Sequence, residues 1–263
     1  MTRVLFATLL AIGLAVPAFA DVTIKQTTGG KGMGMSGNTP ATTYIKGNKM
    51  RADVVIGDRT QTSIFDVDAQ KMYVFDSRKK EADVWDMATF AQELSQSVDA
   101  SSAKGSLKAN GQTKQIGGQT ATGYDMEISV QAAMGGNKDM QMTVTLAGPV
   151  WIVKGAPGSA EYIAFYNAAI EKGFIFSDPR AVKGQPGQAK AMAQMYKELS
   201  DTGGIAYETE MQIKMGGGSG PMAGIMARLG NITVTTLVDS VTVGPLADDL
   251  FAPPAGYKLN PRK

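Results

Sequence analysis

Ser63-Ile64-Phe65-Asp66-Val67, Lys71-Met72-Tyr73-Val74-Phe75 and Glu81-Ala82-Asp83-Val84-Trp85 decide the fold class. Each run is rich in β-branched or aromatic residues. Asp68-Ala69-Gln70 separates the first two, and Ser77-Arg78-Lys79-Lys80 the last two. Short polar breaks between apolar runs of five residues predict a β-meander over 62–87.

The same reading extends outward. Asp21–Thr27 alternates apolar and polar residues. Thr42–Val55 alternates around Gly47-Asn48, which predicts a hairpin. Its Lys46, Lys49, Arg51 and Asp53 mark a solvent face, and Met50, Ala52 and Val54 an inner one. Met87–Ser97 reads as a short helix, and Asp99–Asn110 as a polar linker. Further strands are expected at Lys114–Ile116, Ala121–Val130, Met140–Val153, Ile205–Met215 and Asn231–Val243. The glycine-rich stretches Gly29–Gly37 and Gly216–Gly220 read as loops, and Met222–Leu229 as a further short helix.

Two helices interrupt the strands. Ser159 is the candidate N-cap of Ala160–Lys172, with Gly173 just past its end. Gly187–Ser200 carries Ala189, Met192, Ala193, Tyr196 and Leu199 on one stripe. The chain closes on Asp248–Phe251 and Pro253–Tyr257, an irregular clamp. The predicted class is mainly β (α+β): a strongly curved antiparallel sheet, or incomplete β-barrel, with helices packed on its concave side. A sheet this long curls or closes. Residues 21–263 read as one half-barrel domain with a two-helix insertion at about 156–204.

Residues 1–20, MTRVLFATLLAIGLAVPAFA, have the layout of a secretory signal peptide. Arg3 supplies the positive start, Val4–Val16 the apolar run, and Ala18-Phe19-Ala20 a small-x-small cleavage site. The apolar run is shorter than the roughly 20 residues that span a bilayer. The expectation is an exported, periplasmic protein cleaved after Ala20, with no membrane-spanning segment in the mature chain.

Composition excludes several chemistries. The chain has 0 Cys and 0 His, so disulfides, thiol nucleophiles, Ser-His-Asp triads and His-ligated metals are absent. A net charge of +2 with no basic block argues against nucleic acid. Gly30-x-Gly32-x-Gly34 lacks the strand and helix that would make it a phosphate loop. Ser77…Lys80 and Ser101…Lys104 fall in polar segments, without the companion motifs of a serine–lysine catalyst. Asp66-x-Asp68 and Asp248-Asp249 lack calcium-loop spacing. An enzyme is not expected, and no cofactor is called for.

Methionine is abundant, at 16 residues. Thioethers fill adaptable apolar space, and they also bind Cu(I). The first property suggests an apolar ligand cavity lined by Met50, Phe165, Tyr166, Met192, Met195 and Tyr196. The second makes Met33, Met35, Met140 and Met142 alternative copper ligands. A third reading is a structural or envelope-stress protein with a filled core.

Three stretches carry a family resemblance. They are Ser63-Ile64-Phe65-Asp66…Met72-Tyr73-Val74-Phe75-Asp76, Gly148-Pro149-Val150-Trp151-Ile152-Val153, and Leu250-Phe251-Ala252-Pro253-Pro254-Ala255-Gly256-Tyr257-Lys258. The chain resembles an exported bacterial family classed as a domain of unknown function, which is similar to the periplasmic lipoprotein carriers (LolA, LolB and LppX). That resemblance implies an incomplete, highly curved barrel with helices plugging its open side and lipid or acyl chains inside. It brings no catalytic residues. Intact-mass measurement of the exported protein is expected to give a chain starting at Asp21; retention of residues 1–20 would overturn the signal-peptide reading.

Overall fold

A computed structural model describes residues 20–31, 37–97, 103–134, 137–174, 179–182, 186–216 and 232–262. Residues 1–19, Met33, Met35, Ser101 and the helix expected at 222–229 lie outside the described residues.

The meander forms as expected. It comprises β4 (Arg59–Asp66), β5 (Lys71–Asp76) and β6 (Glu81–Asp86), with β3 (Lys49–Ile56) of the hairpin paired to β4. Its two turns reuse one device. The Asp66 carboxylate accepts the Ala69 N–H at 2.9 Å, and that of Asp76 accepts the N–H groups of Arg78 and Lys79 at 3.1 and 3.2 Å. Gln70 and Lys80, each four residues after its aspartate, take positive φ of 51° and 50°. Asparagine and aspartate favour turns because the side chain can satisfy nearby backbone donors. These bonds hold the Asp76 carboxyl below the usual carboxylate range, the Lys79 N–H first. Asp86 repeats the role at the start of α1 (Met87–Ser97), capping the Thr89 N–H at 2.8 Å.

The remaining strands are β1 (Val22–Lys31), β2 (Asn38–Lys46), β7 (Ala103–Ile116), β8 (Gln119–Met134), β9 (Asn137–Lys154), β10 (Gly204–Gly216), β11 (Ile232–Val243) and β12 (Lys258–Arg262). Among the described residues they make one sheet, ordered β12-β6-β5-β4-β3-β2-β1-β11-β10-β9-β8-β7. The sheet is curved and unclosed, an incomplete barrel. Neighbours are antiparallel except β12, which runs parallel to β6. The helices α2 (Ser159–Glu171), α3 (Pro179–Val182) and α4 (Pro186–Asp201) fall between β9 and β10 and lie on the concave side.

Curvature follows from which elements meet. β6 and β8 are nine strand steps apart, so a flat sheet would separate them by roughly 43 Å. Yet α4, which packs on β7 and β8, also meets α1, the continuation of β6. Arg180 of α3 lies 3.8 Å from Asp83 of β6, and α3 touches α4.

Several local expectations are corrected. The segment read as a polar linker, Asp99–Asn110, is β7 from Ala103 onward; its sparse apolar pattern suffices because α4 covers it and β8 pairs with it. The Gly29–Gly37 loop is shorter at its start, since Gly29, Gly30 and Lys31 pair with β11. Ser159 is not the N-cap of α2. That place belongs to Gly158 at φ 74°, where a Cβ would lie 2.5 Å from Val22 Cγ2. The hairpin's solvent face is partly covered, with Lys49 still exposed. Arg51 and Asp53 are ion-paired at 3.0 Å beneath the C-terminal segment, and Arg51 donates to the Leu250 carbonyl. Lys46 meets Asp248 at 2.8 Å and Asp21 at 3.7 Å.

Gly148-Pro149 interrupts the β9–β10 ladder: Val150 pairs with Thr209 and Ala147 with Gln212, with no pairing between. A Cβ on Gly148 would overlap the Glu210 carbonyl. Gly148→Ala is expected to cost about 2 kcal/mol or more in urea unfolding, because backbone must move. Gly244→Ala, with no neighbour within 4 Å of the added Cβ, should stay within about 0.5 kcal/mol.

Candidate functional site

The concave face is built from strand rows. Register aligns Met50 with Phe65, Phe65 with Met72 and Met72 with Trp85. All four are buried and belong to one apolar cluster with Val22, Ile45 and Val74. Helix α2 closes over it with Phe165, fully buried, and Tyr166. The Tyr166 hydroxyl reaches Met50 Sδ at 3.8 Å, a sulfur contact that suits an adaptable surface.

Helix α4 extends the aromatic cover. Tyr196 stacks on Tyr166 with ring centroids 5.1 Å apart. Tyr162 lies 4.6 Å from Tyr166, and Phe165 meets Tyr166 edge-on at 5.4 Å. Such pairs add about 0.5–1.5 kcal/mol beyond area burial. Burial pushes all three phenols above the ordinary tyrosine range, and neighbouring tyrosine rings add to the rise in Tyr162 and Tyr166.

The six candidate lining residues therefore divide. Met50, Phe165, Tyr166 and Tyr196 meet in this one cluster. Met195 packs instead with a second cluster of Tyr124, Met126, Val150, Ile152, Leu199 and Met211. Met192 is half-buried and belongs to neither cluster. Sequence reading missed Phe65, Met72 and Trp85 as members of the lining row; period-two alternation across the three meander strands was the available signal. Among described residues the Trp85 indole N–H is a buried donor without a partner.

None of the four alternative copper ligands has a described side chain. Met33 and Met35 lie outside the described residues, and Met140 and Met142 lie in β9, where only the backbone is described. Asp66 and Asp68 are used in turn hydrogen bonds, Asp68 accepting from Asn48 at 3.0 Å. Ser77 and Lys80 sit exposed in the β5–β6 turn.

At the ends of β3–β5 the inner face changes character. Beyond the Met50–Phe65 row come Ala52 with Ser63, Val54 with Gln61, and Ile56 with Arg59. Together with Arg78, Lys79 and Arg180 these last residues line a cavity of about 510 Å³ at the mouth of the half-barrel.

No family model matches the chain, and no curated protein matches it. Solved structures do. A crystal structure of PNGF-II is similar over 92% of this chain, at 11% identity and a TM-score of 0.38; the chain spans 31% of that protein. A domain from Vibrio parahaemolyticus, described as an outer membrane lipoprotein-sorting protein, is similar over 89% of this chain and 90% of its own length, at 6% identity and a TM-score of 0.32. Among the described residues no helix is long and apolar enough to cross a membrane.

The raised phenols make stability pH-dependent with a definite sign. A phenol whose folded pKa exceeds its unfolded value contributes stability below about pH 10, and this is lost as pH rises further. Tyrosinate absorbance from the Tyr162–Tyr166–Tyr196 cluster should therefore appear only as the strand circular dichroism collapses. Ionisation of all 8 tyrosines in one reversible stage, with the circular dichroism intact, would contradict the packing described.

Proposed function

We propose that the protein is a non-enzymatic periplasmic carrier or binding protein for an apolar or amphipathic, lipid-like ligand held on the concave face. The observation that supports this reading most directly is the cover. Two helices close an open, apolar sheet face through Tyr166, Tyr196 and Phe165 against Met50. Side-chain packing of this kind can part and reform without breaking the β-ladder. The groups that would meet a ligand are rings and a thioether, which adapt to irregular shapes.

The energetics favour such a site. Each CH2 transferred from water contributes about 0.8 kcal/mol, so a long chain needs few polar contacts. Part of that gain offsets separation of α2 and α4 from the sheet. The absence of His and Cys from the chain is consistent with a role without covalent chemistry.

Native mass spectrometry of protein purified gently from lysate containing membranes is expected to show a lipid adduct. Added lipid should raise the melting temperature, as ligand binding to the folded state requires. Recovery of apo-protein alone, with no lipid-dependent rise, would reject the carrier reading in favour of a filled structural core.

A further inference from the structure

We propose that the mouth of the half-barrel is an anion site, taking the phosphate or carboxylate headgroup of an amphipathic ligand whose chain lies along the concave face. This rests on the carrier reading of that face and adds the chemistry of its ligand's polar end.

Three observations carry it. The first is the composition of the mouth. The 510 Å³ cavity is lined by Arg59, Arg78, Lys79 and Arg180, against the single carboxylate of Asp76. Asp76 accepts two backbone N–H groups within its own turn and lies 3.8 Å from Lys79, an exposed pair. Thr60, Gln61 and Ser77 add neutral polar groups to the wall.

The second is how the cations are held. Asp58 sits 3.7 Å from Arg59 and 3.4 Å from Arg78, with its side chain 81% exposed. Exposed pairs of this type contribute about 0–1 kcal/mol, so an incoming anion can replace Asp58 at little cost. Guanidinium groups suit the exchange because they bind carboxylate and phosphate in a bidentate way. Asp83 positions Arg180 at 3.8 Å while also engaging Arg262 at 2.8 Å.

The third is the polarity gradient leading inward. From Arg59 the inner positions of β4 run through Gln61 and Ser63 to buried Phe65. Those of β3 run from Ile56 through Val54 and Ala52 to buried Met50. Six strand residues cover about 20 Å, comparable with the ~15 Å occupied by the chains of one bilayer leaflet. A headgroup at Arg59 thus leaves its chain directed at the Met50–Phe65–Met72–Trp85 row.

The test titrates the full folded chain with palmitoyl lysophosphatidylglycerol, neutral monopalmitoylglycerol and inorganic phosphate, the lipids below their aggregation concentrations, following tryptophan fluorescence and calorimetric heat. The anionic lipid is expected to bind at least tenfold more tightly than the neutral one. Arg59→Gln with Arg78→Gln should bring the two within about twofold, by weakening the anionic lipid alone. Both side chains are exposed, and Lys79→Gln with Arg180→Gln serves as a second variant should the first lose its fold. Equal binding of both lipids overturns the anion site and leaves the carrier reading intact. Saturable phosphate binding, lost in the variant and without lipid binding, supports the anion site with a free anion as ligand and removes the carrier reading. Binding of none of the three overturns both.

Discussion

Everything in this fold depends on one open sheet burying its concave face. Twelve strands in a plane would leave that face too wide for three helices to cover. Curling brings α1, at the β6 end, against α4, which rests on β7 and β8. A right-handed strand twist accumulated over many strands makes the curl inexpensive. The β1–β11, β10–β9 and β7–β8 pairings carry register shifts, irregularities of the kind that increase local bend and twist. The apolar rows then face inward together, and the helices have a concavity to fill.

Edges and ends are managed separately from the core. β12 covers β6 in parallel, and it carries Pro261, which an edge strand tolerates. The C-terminal segment crosses the outer face of β3 and β4, burying Phe251 and setting Tyr257 edge-on to Phe75 at 5.7 Å. Charges guide that docking: Lys46 joins Asp21, Asp248 and the Leu246 carbonyl, so the residue before β1 and the segment after β11 meet at one ammonium. Asp248 holds the Lys46 pKa up, and Lys46 holds that of Asp248 down. The Lys46–Asp248 pair, with its carboxylate exposed, is modest in energy; the shared role of these contacts is to select the docking position.

The concave face and its mouth form one amphipathic surface, apolar where helices cover it and cationic where strands end. The same alternation that buries Met50 and Phe65 brings Ile56 and Arg59 to the same face at the rim. Affinity for a chain and preference for a charged end would thus come from one stretch of meander, with Arg180 reaching in from the helical insertion. Of the lining residues named from sequence, those on α2 and the middle of α4 converge. Met192, one turn earlier on α4 than Tyr196, does not join them, because the sheet-facing stripe of a helix is set by its crossing angle and not by composition.

The meander, its turns, the Gly47-Asn48 hairpin, the two long helices and the class of the fold were legible in the residues themselves. Each rests on local chemistry: strand alternation, aspartate side chains satisfying their own turn, and glycine past a helix end. The tertiary structure alone decided what lay on either side of those elements. β7 reads as linker because its partners, β8 and α4, supply the burial its own sequence lacks. β12 is invisible because five residues with three polar side chains and a proline form a strand only when the β6 edge is there to pair with. The charged face of β3 is partly covered because a segment some 200 residues later docks on it. Convergence of Arg59, Arg78, Lys79 and Arg180 belongs to the same class. Local sequence sets the periodicity of each element, whereas contacts between distant segments depend on how a whole sheet curls.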